Sequence, residues 1–98
     1  MIIRVVYHGH VALYNVTGVN VMSIRHENRY LQLGLNIAYY RKLRGLTQIR
    51  LAEIAGISRT HMSNIEAPGV EKSVSLEALF NLAEALGVEP GKLLEIRE

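Results

Sequence analysis

Cysteine and tryptophan are absent from this 98-residue chain, proline occurs twice and phenylalanine once. Aspartate is missing as well, so all nine acidic residues are glutamates. Without cysteine there is no disulfide framework, no thiolate metal ligand and no cysteine nucleophile. Without aspartate a Ser-His-Asp arrangement cannot be assembled, and no glycine-rich loop of phosphate-binding spacing occurs. No cofactor site is visible, and an enzyme is not expected. Apolar runs fall short of the roughly 18–20 residues that span a bilayer. The opening residues Met1 to His8 lack the basic start and continuous apolar stretch of a secretory signal. The expected setting is the cytoplasm, away from membranes. Domains usually run to about 100–150 residues, so one core is expected. A chain this short buries only about 60–65% of its unfolded surface, which leaves little room for a deep catalytic cavity.

What is present is unevenly spread. The formal charge is +2, but residues 1–21 carry only Arg4. Residues 22–59 hold Arg25, Arg29, Arg41, Lys42, Arg44, Arg50 and Arg59 against Glu27 and Glu53. Residues 60–98 set Lys72, Lys92 and Arg97 against seven glutamates. A basic middle and an acidic end suggest a face for a polyanion.

Three textures follow one another. Ile2 to Val21 is β-branched and aromatic, broken by Gly9 and Gly18, and alternates at Val11, Leu13, Val19 and Val21 in the manner of strand. His8-Gly9-His10 reads as a turn between two short strands. Residues 23–32 are polar and charged and read as a linker or leading arm. Met22 would itself make a plausible start, so the first 21 residues read as an upstream extension not essential to the main domain; the division expected is an extension at 1–29, strand-like and either dimerising or non-essential, ahead of a domain at 30–98.

From Leu33 the period becomes helical. Leu33, Ile37 and Tyr40 form a stripe that stops at Gly45. Thr47 is placed to cap a second helix with Leu51, Ala52 and Ala55 inside, and Gly56 breaks it. Ser58 is placed to cap a third helix with Met62 and Ile65 inside, ended by Ala67-Pro68-Gly69. Ser75 is placed to cap a fourth helix carrying Leu79, Leu82, Ala83 and Leu86, closed by Gly87. Pro90 suits the first turn of a fifth helix carrying Leu93, Leu94 and Ile96, with a dimer contact open to one of the two leucines. The expected fold is all-α, five short helices behind an extension that can form a β-hairpin.

The informative segment is residues 47–66. Two short helices meet through Gly56, which can take the positive φ of a tight turn, and Ala52 permits their close approach. With Ile57 and Ile65 turned to the core, Arg59, Thr60, Ser63 and Asn64 face outward. A rigid helix with short polar side chains on its first turns suits the major groove of B-DNA, about 12 Å wide. His8 and His10 alternate as strand ligands for a metal would, but no third ligand of suitable spacing accompanies them. No metal site is expected. Tyr39-Tyr40 reads as core and core edge.

Leu43-Arg44-Gly45-Leu46-Thr47-Gln48, Leu51-Ala52, Ala55-Gly56-Ile57-Ser58, Met62-Ser63-Asn64-Ile65-Glu66 and Leu82-Ala83 through Leu86-Gly87-Val88, preceded by Arg41, closely resemble the phage Cro/repressor-type helix-turn-helix family, also called xenobiotic-response-element-type regulators. The resemblance runs from about Leu33 to Leu94 and implies a lambda-repressor-like DNA-binding domain. It implies a transcriptional regulator, usually a repressor acting as a homodimer on a two-fold symmetric site in double-stranded DNA. It also implies roles for individual residues. Arg59, Thr60 and Asn64 would read bases, Arg59 on guanine and Asn64 on adenine. Gln48, Ser58, Ser63, His61 and Arg50 would contact phosphate. Arg41 would pair with Glu66 and fix helix orientation. Ile49 and Arg50 stand where relatives commonly carry glutamate, which weakens the expected capping box and adds charge near phosphate. The loop at 67–72 is poor in basic residues, so a single copy is expected to bind modestly. No small-molecule effector is evident. Two alternatives stay open: an antitoxin or restriction-controller regulator of the same fold, and a protein-interaction module that does not read DNA.

Overall fold

The computed structural model describes residues 2–7, 10–15, 22–70 and 73–96. Two strands, β1 (Ile2–Tyr7) and β2 (His10–Asn15), pair antiparallel, Ile2 opposite Asn15 and Tyr7 opposite His10. The expected turn at His8-Gly9 and the alternation at Val19 and Val21 lie outside the described residues. Five helices follow: α1 (Met22–Leu43), α2 (Gln48–Ala55), α3 (Arg59–Glu66), α4 (Leu76–Leu86) and α5 (Pro90–Leu93).

The polar stretch at 23–32, expected as a linker, is instead the first half of α1. It contains neither glycine nor proline, and its Arg, Glu, Gln and Leu residues are good helix formers. Once the core-packed turns from Leu33 onward exist, each added residue gains one backbone hydrogen bond without a new nucleation cost. The boundary expected near residue 30 therefore falls inside a continuous helix.

Side-chain caps open three helices. Thr47 Oγ1 accepts from the Arg50 amide at 3.0 Å, Ser58 Oγ from the His61 amide at 3.0 Å, and Ser75 Oγ from the Ala78 amide at 3.1 Å. The ends of α1, α2 and α4 share one device. Leu46, Ile57 and Val88 each donate back five residues, to Arg41, Ala52 and Ala83, at 3.0 Å. The residue before each donor is a glycine at φ +70°, a left-handed conformation that costs a side-chain-bearing residue about 1–2 kcal/mol.

Behind these ends lies one core. Leu33 and Ile37 of α1, Leu51, Ala52 and Ala55 of α2, Met62 and Ile65 of α3, Leu79, Leu82, Ala83 and Leu86 of α4 and Leu93 of α5 are buried together, with Tyr40 and Ile57 packed on the margin. Helix α5 ends at Leu93, so the expectation of a longer apolar helix is corrected. Leu94 and Ile96 remain 56% and 42% exposed. Buried Asn36 explains the stop. Its Nδ2 donates to the carbonyl oxygens of Leu93 at 3.0 Å and Glu95 at 2.7 Å, satisfying acceptors that a continuing helix would have used. Among the described residues no helix is long and apolar enough to cross a membrane.

Candidate nucleic-acid interface

Helix α3 has a divided surface. Met62 and Ile65 are fully buried, while Arg59, Thr60, Ser63 and Asn64 are exposed. Its amphipathicity follows from helical spacing, since residues 62 and 65 share the face opposite 60, 63 and 64. The three-residue link Gly56-Ile57-Ser58 sets α3 against α2: Gly56 turns the chain, Ile57 packs on the core, and Ser58 caps the new helix.

One open groove runs between the start of α2 and the outer face of α3, lined by Gln48, Ile49, Arg59, Thr60, Ser63 and Asn64. Five residues singled out in the sequence thus come together. Ser58, His61 and Arg50 are not among the lining residues. Ser58 is exposed and His61 half-buried. Arg50 Nη1 lies 3.1 Å from Glu53 Oε2, with both side chains more than half exposed. Such a pair contributes little and can be exchanged for another anion. Arg59 makes no ion pair among the described residues, leaving its guanidinium available to a ligand. Ile49, 45% exposed, is the one apolar side chain lining the groove; the sequence marks it as a departure from the family pattern and gives it no place at the interface.

Beneath the groove lies a charged brace. Arg41 Nε donates to Glu66 Oε2 at 2.7 Å and Arg41 Nη2 to Glu66 Oε1 at 2.9 Å, a two-pronged contact between side chains only 12% and 5% exposed. Arg41 Nη1 also donates to the Leu46 carbonyl at 2.8 Å, just ahead of the α2 cap. Hydrogen bonding to Glu66 holds the Arg41 guanidinium above its ordinary range; burial opposes this and the Glu66 charge adds to it. For the Arg41 proton the sign is that of a raised pKa: while Glu66 carries its charge, the stabilisation is present below the unfolded-state value and is lost only in strong alkali. Gln48 Nε2 donates to Glu66 Oε1 at 3.1 Å. That contact escapes sequence reading because nothing in the residue types links positions 18 apart. Arg44, counted with the basic middle, sends Nε to the Leu86 carbonyl at 2.9 Å and meets the C-terminal end of α4, where positive charge is favoured.

Among the described residues no group of three or more His or Glu side chains is placed to hold a metal ion. A polar helix face held proud of an apolar core, beside a groove edged by amides and hydroxyls, defines a helix-turn-helix DNA reader. The family profile described as helix-turn-helix matches residues 37–93, more than half of the chain. The chain belongs to that family, in its Cro/repressor branch, and is a DNA-binding transcriptional regulator; the family is not one of enzymes. It is similar to Control protein C.SmaI of Serratia marcescens, 40% identical over 62 residues, which span 63% of this chain and 71% of that protein. The crystal structure of the restriction-modification controller C.AhdI from Aeromonas hydrophila matches with a TM-score of 0.61 and 31% identity, covering 65% of this chain and 94% of that one. SinR, a master regulator for biofilm formation known from Bacillus subtilis, was solved in complex with DNA. That structure matches with a TM-score of 0.60 and 32% identity over 64% of this chain and 98% of the solved chain.

Proposed function

We propose that the chain is a cytoplasmic, sequence-specific repressor that binds a two-fold symmetric site in double-stranded DNA as a homodimer. The DNA-binding unit is assigned to residues 30–98 and residues 1–29 to an extension whose last part, from Met22, is continuous with that unit through α1. The observation that carries this reading is the outer face of α3, whose Arg59, Thr60, Ser63 and Asn64 are exposed along one groove with Gln48. In this reading Arg59 donates twice to a guanine, Asn64 pairs with an adenine, and Thr60 meets a neighbouring base edge. Gln48, Ser58, Ser63, His61 and Arg50 contact phosphates and set the docking angle. The Ser58 hydroxyl accepts from His61 and keeps its own proton for a phosphate oxygen. Two copies occupy half-sites about 34 Å apart, one helical turn. The exposed Phe80, Leu94 and Ile96 support a dimer contact on the α4–α5 side.

A second reading is favoured by the likeness to C.SmaI and C.AhdI: the regulated genes are those of a restriction-modification system. A methyltransferase gene beside this one would support it.

Fluorescence-anisotropy titration against duplex DNA over a range of salt tests the proposal. Affinity should fall steeply with salt, log K against log salt having a slope of about −0.9 per phosphate neutralised. Arg59→Ala should cost about 1–3 kcal/mol on the preferred site and little on unrelated duplex. A folded protein that ignores duplex at low salt overturns the proposal.

A further inference from the structure

The Gln48 side chain is not free to choose its partner. Its Nε2 donates to Glu66 Oε1 at 3.1 Å, and the same carboxylate takes both prongs of Arg41. Glu66 is 5% exposed and closes α3, while Gln48 opens α2. One buried carboxylate thus joins the ends of three helices and holds the amide at the groove edge. A primary amide is planar and carries two N–H donors on one nitrogen. With one committed to Glu66, the amide plane is fixed and the second N–H remains for a ligand at the groove, where Gln48 is a lining residue. The Arg41 charge offsets that of Glu66, so a carboxylate can sit below a phosphate-binding edge without repelling it.

We infer that Glu66 is a positioning residue for DNA docking: through its bond to Gln48 it aims that amide at one backbone phosphate before DNA arrives. The inference rests on the reading of Gln48 as a phosphate contact. An unrestrained glutamine would give up side-chain rotamer freedom on binding, and this one has already given it up on folding.

The test uses the full chain and a preferred duplex in which single phosphates are replaced, one at a time, by neutral methylphosphonates. For the wild type, replacement at the Gln48 phosphate should weaken binding about tenfold. Gln48→Ala should lose that sensitivity and keep it elsewhere. Glu66→Leu, which leaves no acceptor for Gln48, should lose it at the same phosphate and no other, whereas general damage to the fold would lower affinity for every duplex alike. If Gln48→Ala changes no phosphate effect, the reading of Gln48 fails and the inference with it. If Gln48→Ala removes one effect that Glu66→Leu retains, the Glu66 link alone is wrong. Should Glu66→Leu not fold, hydrogen exchange of the Gln48 side-chain amide in the wild type decides. One slowed proton supports the link, and two protons exchanging as in a free glutamine overturn it.

Discussion

Among the described residues Asn36 is the one polar residue buried, backbone and side chain together, in the core. An uncapped carbonyl at the end of a helix needs a donor, and Asn36 supplies one to Leu93 and one to Glu95, 57 and 59 residues away. Asn36→Ala removes both bonds to the carbonyls at the end of α5 and just beyond it. The expected loss is about 1–3 kcal/mol, measured as a lower urea midpoint, and amides following α5 should exchange faster. No loss of stability would mean that these carbonyls are served by water instead. Arg44 follows the same logic at the end of α4, where it joins a carbonyl to a cation.

Elements were legible where a local rule sufficed. Thr47, Ser58 and Ser75 precede apolar-periodic runs and cap α2, α3 and α4; Gly45, Gly56 and Gly87 follow such runs and take φ +70°. The inner residues of α2, α3 and α4 were readable from spacing alone. The first half of α1 was not, because its polar residues show no stripe and its helicity is inherited from the turns that follow. The end of α5 was not, because Leu94 and Ile96 are apolar yet uncovered, and only the Asn36 contact distinguishes them from Leu93. The faces of α2 and α3 were legible in the site, whereas the brace beneath them joins residues 18 and 25 apart with no pattern between them. Glycine at the α2–α3 turn also permits a clean measurement. A Cβ built on Gly56 meets nothing within 4 Å, so the cost of Gly56→Ala is conformational alone. Thermal or denaturant unfolding should show a loss of about 1–2 kcal/mol. An unchanged midpoint would contradict the left-handed turn.

Over the whole molecule, the basic middle serves two purposes. Of its seven cations, Arg41 is engaged with Glu66 and Leu46, and Arg44 with Leu86. Their charge holds α1 against α2, α3 and α4. Arg50 and Arg59 remain exposed on the groove side, and under the proposed function a single copy has few cations for phosphate, which the proposed homodimer would double. Exposed Phe80, Leu94 and Ile96 are the apolar surface that the proposed homodimer would cover. Two copies related by a two-fold axis would present two α3 helices to successive major grooves. Selection of bound fragments from random duplex tests this most directly, carried out in parallel with the wild type and with Asn64→Ala. The wild type should enrich a two-fold symmetric motif with half-site centres about 10 base pairs apart, and Asn64→Ala should lose its preference at one position in each half-site. Recovery of no motif, or of the same motif from both proteins, would contradict the assignment of α3 as the helix that reads the bases.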